Sequence, residues 1–178
     1  KLSSWAFTQG CMRSAAAHFD ALAEGFASEL IATLEEDGHC DFVSAFAAKL
    51  PLAATGEIIG LAPDDWKQLI VWTNAIIGEV EPEDMLPGET VAEAAERNMN
   101  DMRAYLEALI HEHRQPGGGP SAFINRLVNG TVDGKPLDDQ QLNGYLLLLI
   151  GAGNETTRNA TVGGLVALLE NPEMLDLL

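Results

Sequence analysis

The sequence has few basic residues for its length. Its 178 residues include 10 lysines and arginines against 27 aspartates and glutamates, a formal net charge of −17. A surface this acidic repels phosphate groups, so the charge argues against nucleic acid and against an anionic membrane surface as partners. We therefore expect no nucleic-acid partner and no membrane partner.

Cysteines and long apolar runs are also scarce. The two cysteines have neither metal-site nor redox-motif spacing, which predicts thiols in a reducing compartment. The longest apolar run, residues 145–153, is about half of the ~20 residues that a membrane-spanning helix needs. With the acidic charge, these features predict a cytoplasmic protein.

Apolar residues, in contrast, are abundant and regularly spaced. They make up 47% of the chain, which argues against disorder. Their recurrence at every third or fourth position, with caps and breakers between, predicts an all-α fold with helices over residues 14–37, 42–59, 63–78, 89–114 and 121–128.

Local signals refine this prediction. The stripe of the first helix is predicted to be core, and Pro51 to kink or divide the second helix. The acidic, proline-containing residues 79–88 are the best candidate for a mobile lid. Asp133-Gly134 predicts one small β-hairpin.

One stretch predicts a helix of unusual length. Asp138 can cap its start while Gln141 reaches back, and Asn171-Pro172 ends it. Nothing over residues 138–171 forces a break, so we expect one helix of about 33 residues, on the order of 50 Å long. Such a helix crosses a whole domain.

The middle of this helix contains small and polar residues. Gly151 and Gly153 each cost roughly 1 kcal/mol relative to alanine. Two interpretations are open: another helix packs closely here, or a large flat group lies against the backbone, and the residues alone favour packing. The side chains that share one face are Leu148, Ala152 and Thr156.

The acidic residue in this stretch also has two interpretations. Glu155 lies about 100° around the helix from Thr156, from where it could feed protons from the side. It could instead only form an ion pair with Arg158. A metal role for His111 and His113 is disfavoured, because residues two apart lie on opposite helix faces, and we expect no metal ligand in this chain.

Several segments resemble the cytochrome P-450 family. Residues 152–157, AGNETT, resemble the oxygen-activation signature (A/G)-G-x-(D/E)-T-(T/S) on that family's long central helix. Residues 40–43 (CDFV), 50–52 (LPL), 58–65 (IIGLAPDD) and 132–138 (VDGKPLD) are similar to family segments that precede that helix, in the same order. The resemblance covers nearly the whole chain and is most like bacterial sterol- and terpene-oxidising members.

The resemblance implies a haem-dependent monooxygenase. Such an enzyme binds haem b and inserts one atom of dioxygen into an apolar small molecule, such as a terpene, sterol or fatty acid, with electrons from a ferredoxin and its reductase. Thr156 would stabilise activated dioxygen by hydrogen bonding, and Glu155 would help carry protons inward. The implied cofactor-binding residues are Leu148, Ala152, Gly153 and Thr156, and the implied substrate contacts are Leu148, Gly151, Ala152, Ile76 and Ile77.

The resemblance also implies that these residues are one part of an enzyme. Residues 1–178 correspond to the middle of the family's fold, a single partial domain, with the haem-thiolate loop and the N-terminal region outside it. Cys11 and Cys40 lack the phenylalanine and glycine context of the haem ligand. We expect this part alone to be inactive. The alternative function is a non-catalytic helical ligand-binding module of a regulator.

Overall fold

The fold is a set of helices arranged around one long helix. The computed structural model describes residues 3–61 and 65–177. Its α-helices are α1 (Gln9–Asp37), α2 (Lys49–Ile59), α3 (Trp66–Ile76), α4 (Val91–His113), α5 (Ala122–Val128) and α6 (Asp139–Glu170). A π-helical turn covers Val43–Ala47, and 3-10 helices cover Pro82–Asp84 and Pro172–Leu177.

The only strands in the described ranges form the predicted hairpin. Strands β1 (Thr131–Val132) and β2 (Lys135–Pro136) pair antiparallel, with Val132 opposite Lys135. Asp133 and Gly134 at the turn both have positive φ, 52° and 76°, as a two-residue hairpin turn requires. The prediction of an all-α fold with one small hairpin is confirmed.

Helix α6 begins and ends where the sequence predicts. The Asp138 carboxylate accepts the backbone N–H of Gln141 at 2.8 Å, and the Gln141 side chain accepts the N–H of Asp138 at 3.1 Å. This capping box satisfies two of the unpaired donors at the helix start. The 32 residues of α6 span about 48 Å.

The core lies where α6 meets the helices that precede it. One stripe of α6, Leu142, Leu146 and Ile150, is fully buried. It belongs to a single apolar cluster with side chains from α2, α3, α4 and α5. Helix α4 contributes Met102 and Leu106, which are fully buried.

The prediction that the α1 stripe forms core is wrong. Its residues are half-buried, except Leu34, which is 41% exposed, and none belongs to the buried cluster. The reason is position: α1 packs mainly on α2 and the π-helical turn, at the edge of the helices that the structure describes. The stripe consists of Phe19, Leu22, Phe26, Leu30 and Leu34.

The second predicted helix is divided three residues before Pro51. The π-helical turn gives way to α2 at Ala48, which places Pro51 third in α2. The backbone N–H groups in the first turn of a helix have no partner within that helix, so a proline there, which lacks an N–H, removes no hydrogen bond of α2. The predicted start of the next helix, at Pro63 and Asp64, lies outside the described residues.

No helix within residues 3–61 and 65–177 combines the length and the hydropathy that crossing a membrane requires.

Candidate functional site

One face of α6 is uncovered in the middle of the helix. Leu148 is 67% exposed, and Ala152 and Thr156 on the following turns are also exposed. We call these three residues the open face. No helix in the described part of the chain packs over the open face. The helix-packing interpretation therefore does not apply to these three residues.

The hydroxyl of Thr156 is bonded to its own helix. It donates to the carbonyl of Ala152 at 2.7 Å, and the neighbouring Thr157 donates to the carbonyl of Gly153 at 3.3 Å. The Thr156 oxygen keeps its lone pairs for accepting a bond from outside. To donate outward, the hydroxyl must first leave the Ala152 carbonyl, for example by a change of χ1 rotamer.

The two glycines of this stretch lie beside neighbouring helices at different distances. A Cβ atom built on Gly153 would lie 3.4 Å from the Thr55 hydroxyl of α2, and one built on Gly151 would lie 3.2 Å from Cδ1 of Ile76 in α3. The packing interpretation therefore fits Gly151, whereas Gly153 is exposed and a Cβ there would make an ordinary contact with Thr55. Of the predicted cofactor-binding residues, Gly153 is the one that lies next to α2, beside Thr55, and not on the open face.

The predicted substrate contacts from α3 lie near the end of that helix. Ile76 is the last residue of α3 and meets α6 beside Gly151, with 36% of its surface exposed. Ile77 follows it and is 48% exposed. The structure brings Ile76 and Gly151 together.

Glu155 lies beside the open face and is already partnered. Its carboxylate accepts from the guanidinium of Arg158 and from the side-chain amide of Asn159, the latter at 2.7 Å. The ion pair is only partly buried. Glu155 therefore forms the ion pair with Arg158 that one of the two interpretations predicts. To carry protons, Glu155 would first have to release Arg158 and Asn159.

Asn154 is a candidate site residue that the sequence analysis missed. Its side chain is 5% exposed and bonds to Thr55 of α2, also 5% exposed, at 3.2 Å. The available signal was its position, four residues after Ile150 in the buried stripe. An amide in that register predicts a buried hydrogen bond.

His113 has a structural environment. It is 1% exposed, its Nδ1 bonds to the Leu109 carbonyl at 2.8 Å, and its Nε2 accepts the backbone N–H of Ser121 at 3.2 Å. His111 is exposed on another face of α4. In the part of the chain that the structure describes, no three His, Cys, Asp or Glu side chains are grouped as a metal site would require.

Comparison with known proteins gives the family. The Cytochrome P450 family model matches residues 80–178. Linalool 8-monooxygenase from Pseudomonas putida is 33% identical over 85% of this chain and 36% of its own length. Steroid C26-monooxygenase from Mycolicibacterium smegmatis is 28% identical over 85% of this chain and 34% of its own length.

A solved structure agrees with these sequence matches. A Mycobacterium marinum cytochrome P450 in complex with pseudoionone superposes with a TM-score of 0.78 and 28% identity, over 97% of this chain and 40% of that one. The chain therefore belongs to the cytochrome P450 family. It spans about a third of the length of the curated relatives that it matches.

Proposed function

We propose that the complete protein is a haem-dependent monooxygenase that hydroxylates an apolar small molecule. The observation that carries this proposal is the open face of α6, which presents Thr156 within the residues AGNETT and has no covering helix in the described ranges. Family membership supports an enzyme over the alternative of a non-catalytic regulator module. We propose that residues 1–178, part of one domain, do not turn over by themselves.

The open face fits haem b, the cofactor of this family. A porphyrin is large, flat and apolar, so it needs an apolar surface with a small residue where its plane comes close to the helix. Ala152 supplies only a methyl group, and the exposed Leu148 supplies apolar area on the preceding turn. We propose that Leu148, Ala152, Gly153 and Thr156 would hold the haem or line the oxygen-binding space beside it.

When bound, haem supplies the iron at which dioxygen is reduced. The residues of this chain control protons and access. The Thr156 hydroxyl leaves the Ala152 carbonyl and donates a hydrogen bond toward the reacting oxygen atoms. Glu155 exchanges Arg158 for water and passes protons inward from the side.

The proposed substrate is a terpene, sterol or fatty acid. The names of two relatives specify linalool and a steroid, and a solved relative holds pseudoionone. Leu148, Gly151, Ala152 and Ile76 offer apolar surface around one part of α6, and Ile77 extends it along α3. We further propose a ferredoxin and its reductase as electron donors, and a cytoplasmic location.

Two measurements on the complete protein test this function. The reduced protein should bind carbon monoxide with the absorption shift of thiolate-ligated haem. Ferredoxin and its reductase should then support oxygen insertion into a terpene or steroid. A protein that holds no haem would contradict the proposal.

Thr156→Ala tests the proposed role of the hydroxyl. A hydrogen bond to a charged group is worth about 1.5 kcal/mol or more, so product formed per electron should fall roughly tenfold, with peroxide released instead. Haem content should be unchanged, and Thr156→Ser should restore the yield. Thr157→Ala is the matched control, since its hydroxyl makes the same kind of bond one residue away. An unchanged yield in Thr156→Ala would disprove the role.

A further inference from the structure

Asn154 extends the buried stripe of α6 by one polar residue. Leu142, Leu146 and Ile150 are fully buried at every fourth position, and Asn154, 5% exposed, is next in the series. A buried amide is destabilising unless its donors and acceptor are bonded. The partners of Asn154 therefore restrict how α6 can lie.

Those partners fix the orientation of the amide. Asn154 Nδ2 donates to the carbonyl of Ile150 at 3.1 Å, and a carbonyl can only accept. The amide oxygen is consequently left to face α2, where the Thr55 hydroxyl donates to it at 3.2 Å. This buried bond joins two helices through residues 99 positions apart.

The bond also determines which side of α6 faces outward. Residues two apart on a helix point about 160° away from each other, so Ala152 and Thr156 lie nearly opposite Asn154. Gly153, the residue before Asn154, also lies next to α2, since a Cβ built on it would be 3.4 Å from the Thr55 hydroxyl. Rotating α6 would pull Asn154 away from Thr55 and turn Thr156 at the same time.

We propose that Thr55 and Asn154 are a positioning pair whose buried hydrogen bond sets the rotation of α6 and so holds Thr156 toward the open side. The benefit to catalysis rests on the proposed function. The claim that the bond sets the rotation of α6 does not depend on the proposed function, so either claim can fail while the other holds. Neither residue touches the open face itself.

Thr55→Val in the complete protein tests the pair, because valine keeps the shape and removes the hydroxyl. Backbone hydrogen exchange over residues 150–158 should accelerate about fivefold, the effect of one lost hydrogen bond. Thr55→Ser should exchange like the wild type. Thr73→Val is the matched control, because the Thr73 hydroxyl is buried but bonds within α3 to the carbonyls of Leu69 and Ile70.

Two results would overturn the inference: wild-type exchange over residues 150–158 in Thr55→Val, or equal acceleration there in Thr73→Val. If Thr55→Val does not fold, Thr55→Cys keeps a weak donor and should accelerate exchange by less. Wild-type exchange in Thr55→Cys would then contradict the pair.

A second measurement connects the pair to Thr156. Thr55→Val should lower product per electron about fivefold at unchanged haem content, and it should add nothing in a Thr156→Ala background. Additive losses would contradict positioning through Thr156. If the wild type holds no haem, the proposed function fails, while hydrogen exchange still decides whether the pair sets α6.

Discussion

Three adjacent residues of α6 have three different environments. Asn154 is buried against α2, Glu155 is half-buried against Arg158, and Thr156 is exposed on the open face. A helix turns about 100° per residue, so neighbours in sequence necessarily face different surroundings. The AGNETT motif thus combines a packing contact, an ion pair and a free face within one turn.

Glu155→Gln tests the proton-carrying role at this scale. Glutamine keeps the shape and one of the two acceptor oxygens but cannot exchange a proton, so proton-dependent turnover should fall roughly 10²-fold. The solvent isotope effect should rise, because proton delivery then limits the rate. The measurement is turnover in light and heavy water.

Arg158→Gln separates the proton role from a structural one. It removes the ion pair but leaves the carboxylate of Glu155 in place. We expect this variant to keep the wild-type isotope effect. If Glu155→Gln and Arg158→Gln behaved alike, or if Glu155→Gln had wild-type kinetics, Glu155 would be only a structural partner.

The ends of the helices and of the hairpin can be predicted from the sequence, whereas the burial of a helix cannot. Capping and turn signals are local, so α6, α4 and the hairpin were placed to within about two residues of their observed ends. Burial of α1 depends on which helices lie beside it, and periodicity does not contain that information. The π-helical turn before α2 likewise has no recognised local signal.

The proposed lid is attached to the start of α4. Arg97 binds both carboxylate oxygens of Glu89 at 2.9 Å and also donates to the carbonyl of Asp84 at 2.7 Å. The Glu89 carboxylate also accepts the backbone N–H of Leu86 at 2.8 Å. The mobility of residues 79–88 remains a prediction, and any opening must break these bonds.

These bonds should make stability depend on pH. The hydrogen bond from Arg97, with that from Leu86, holds the pKa of Glu89 below its ordinary value of 4.5. A lowered pKa means that this stabilisation is complete above pH 4.5 and is lost as pH falls through the lower, folded-state pKa. The complete protein and Glu89→Gln should therefore differ in thermal midpoint at pH 7 and converge in acid.

Glu107→Gln controls for the loss of one negative charge, since Glu107 is exposed on α4 and takes no part in the Glu89 ion pair. At pH 7, Glu89→Gln should lower the midpoint more than Glu107→Gln does. Equal midpoints for the wild type and Glu89→Gln at pH 7 would show that the bonds do not stabilise the fold.

At the scale of the whole molecule, the sequence left one question open. Small residues in a helix fit both close packing and contact with a flat group, because neither partner is encoded locally. The structure divides the answer by position: Gly151 packs against Ile76 of α3, while Leu148, Ala152 and Thr156 face outward. The resemblance to the family predicts contact with a flat group, whereas the residues alone favour close packing of another helix.

Ala152→Phe in the complete protein tests most directly whether haem lies against the open face. A phenyl ring would project into the space that the methyl group of Ala152 leaves clear. We predict that haem bound per chain and carbon monoxide binding both fall, while Ala108→Phe, at an exposed position of α4, leaves both unchanged. Wild-type haem content and carbon monoxide binding in Ala152→Phe would contradict the account.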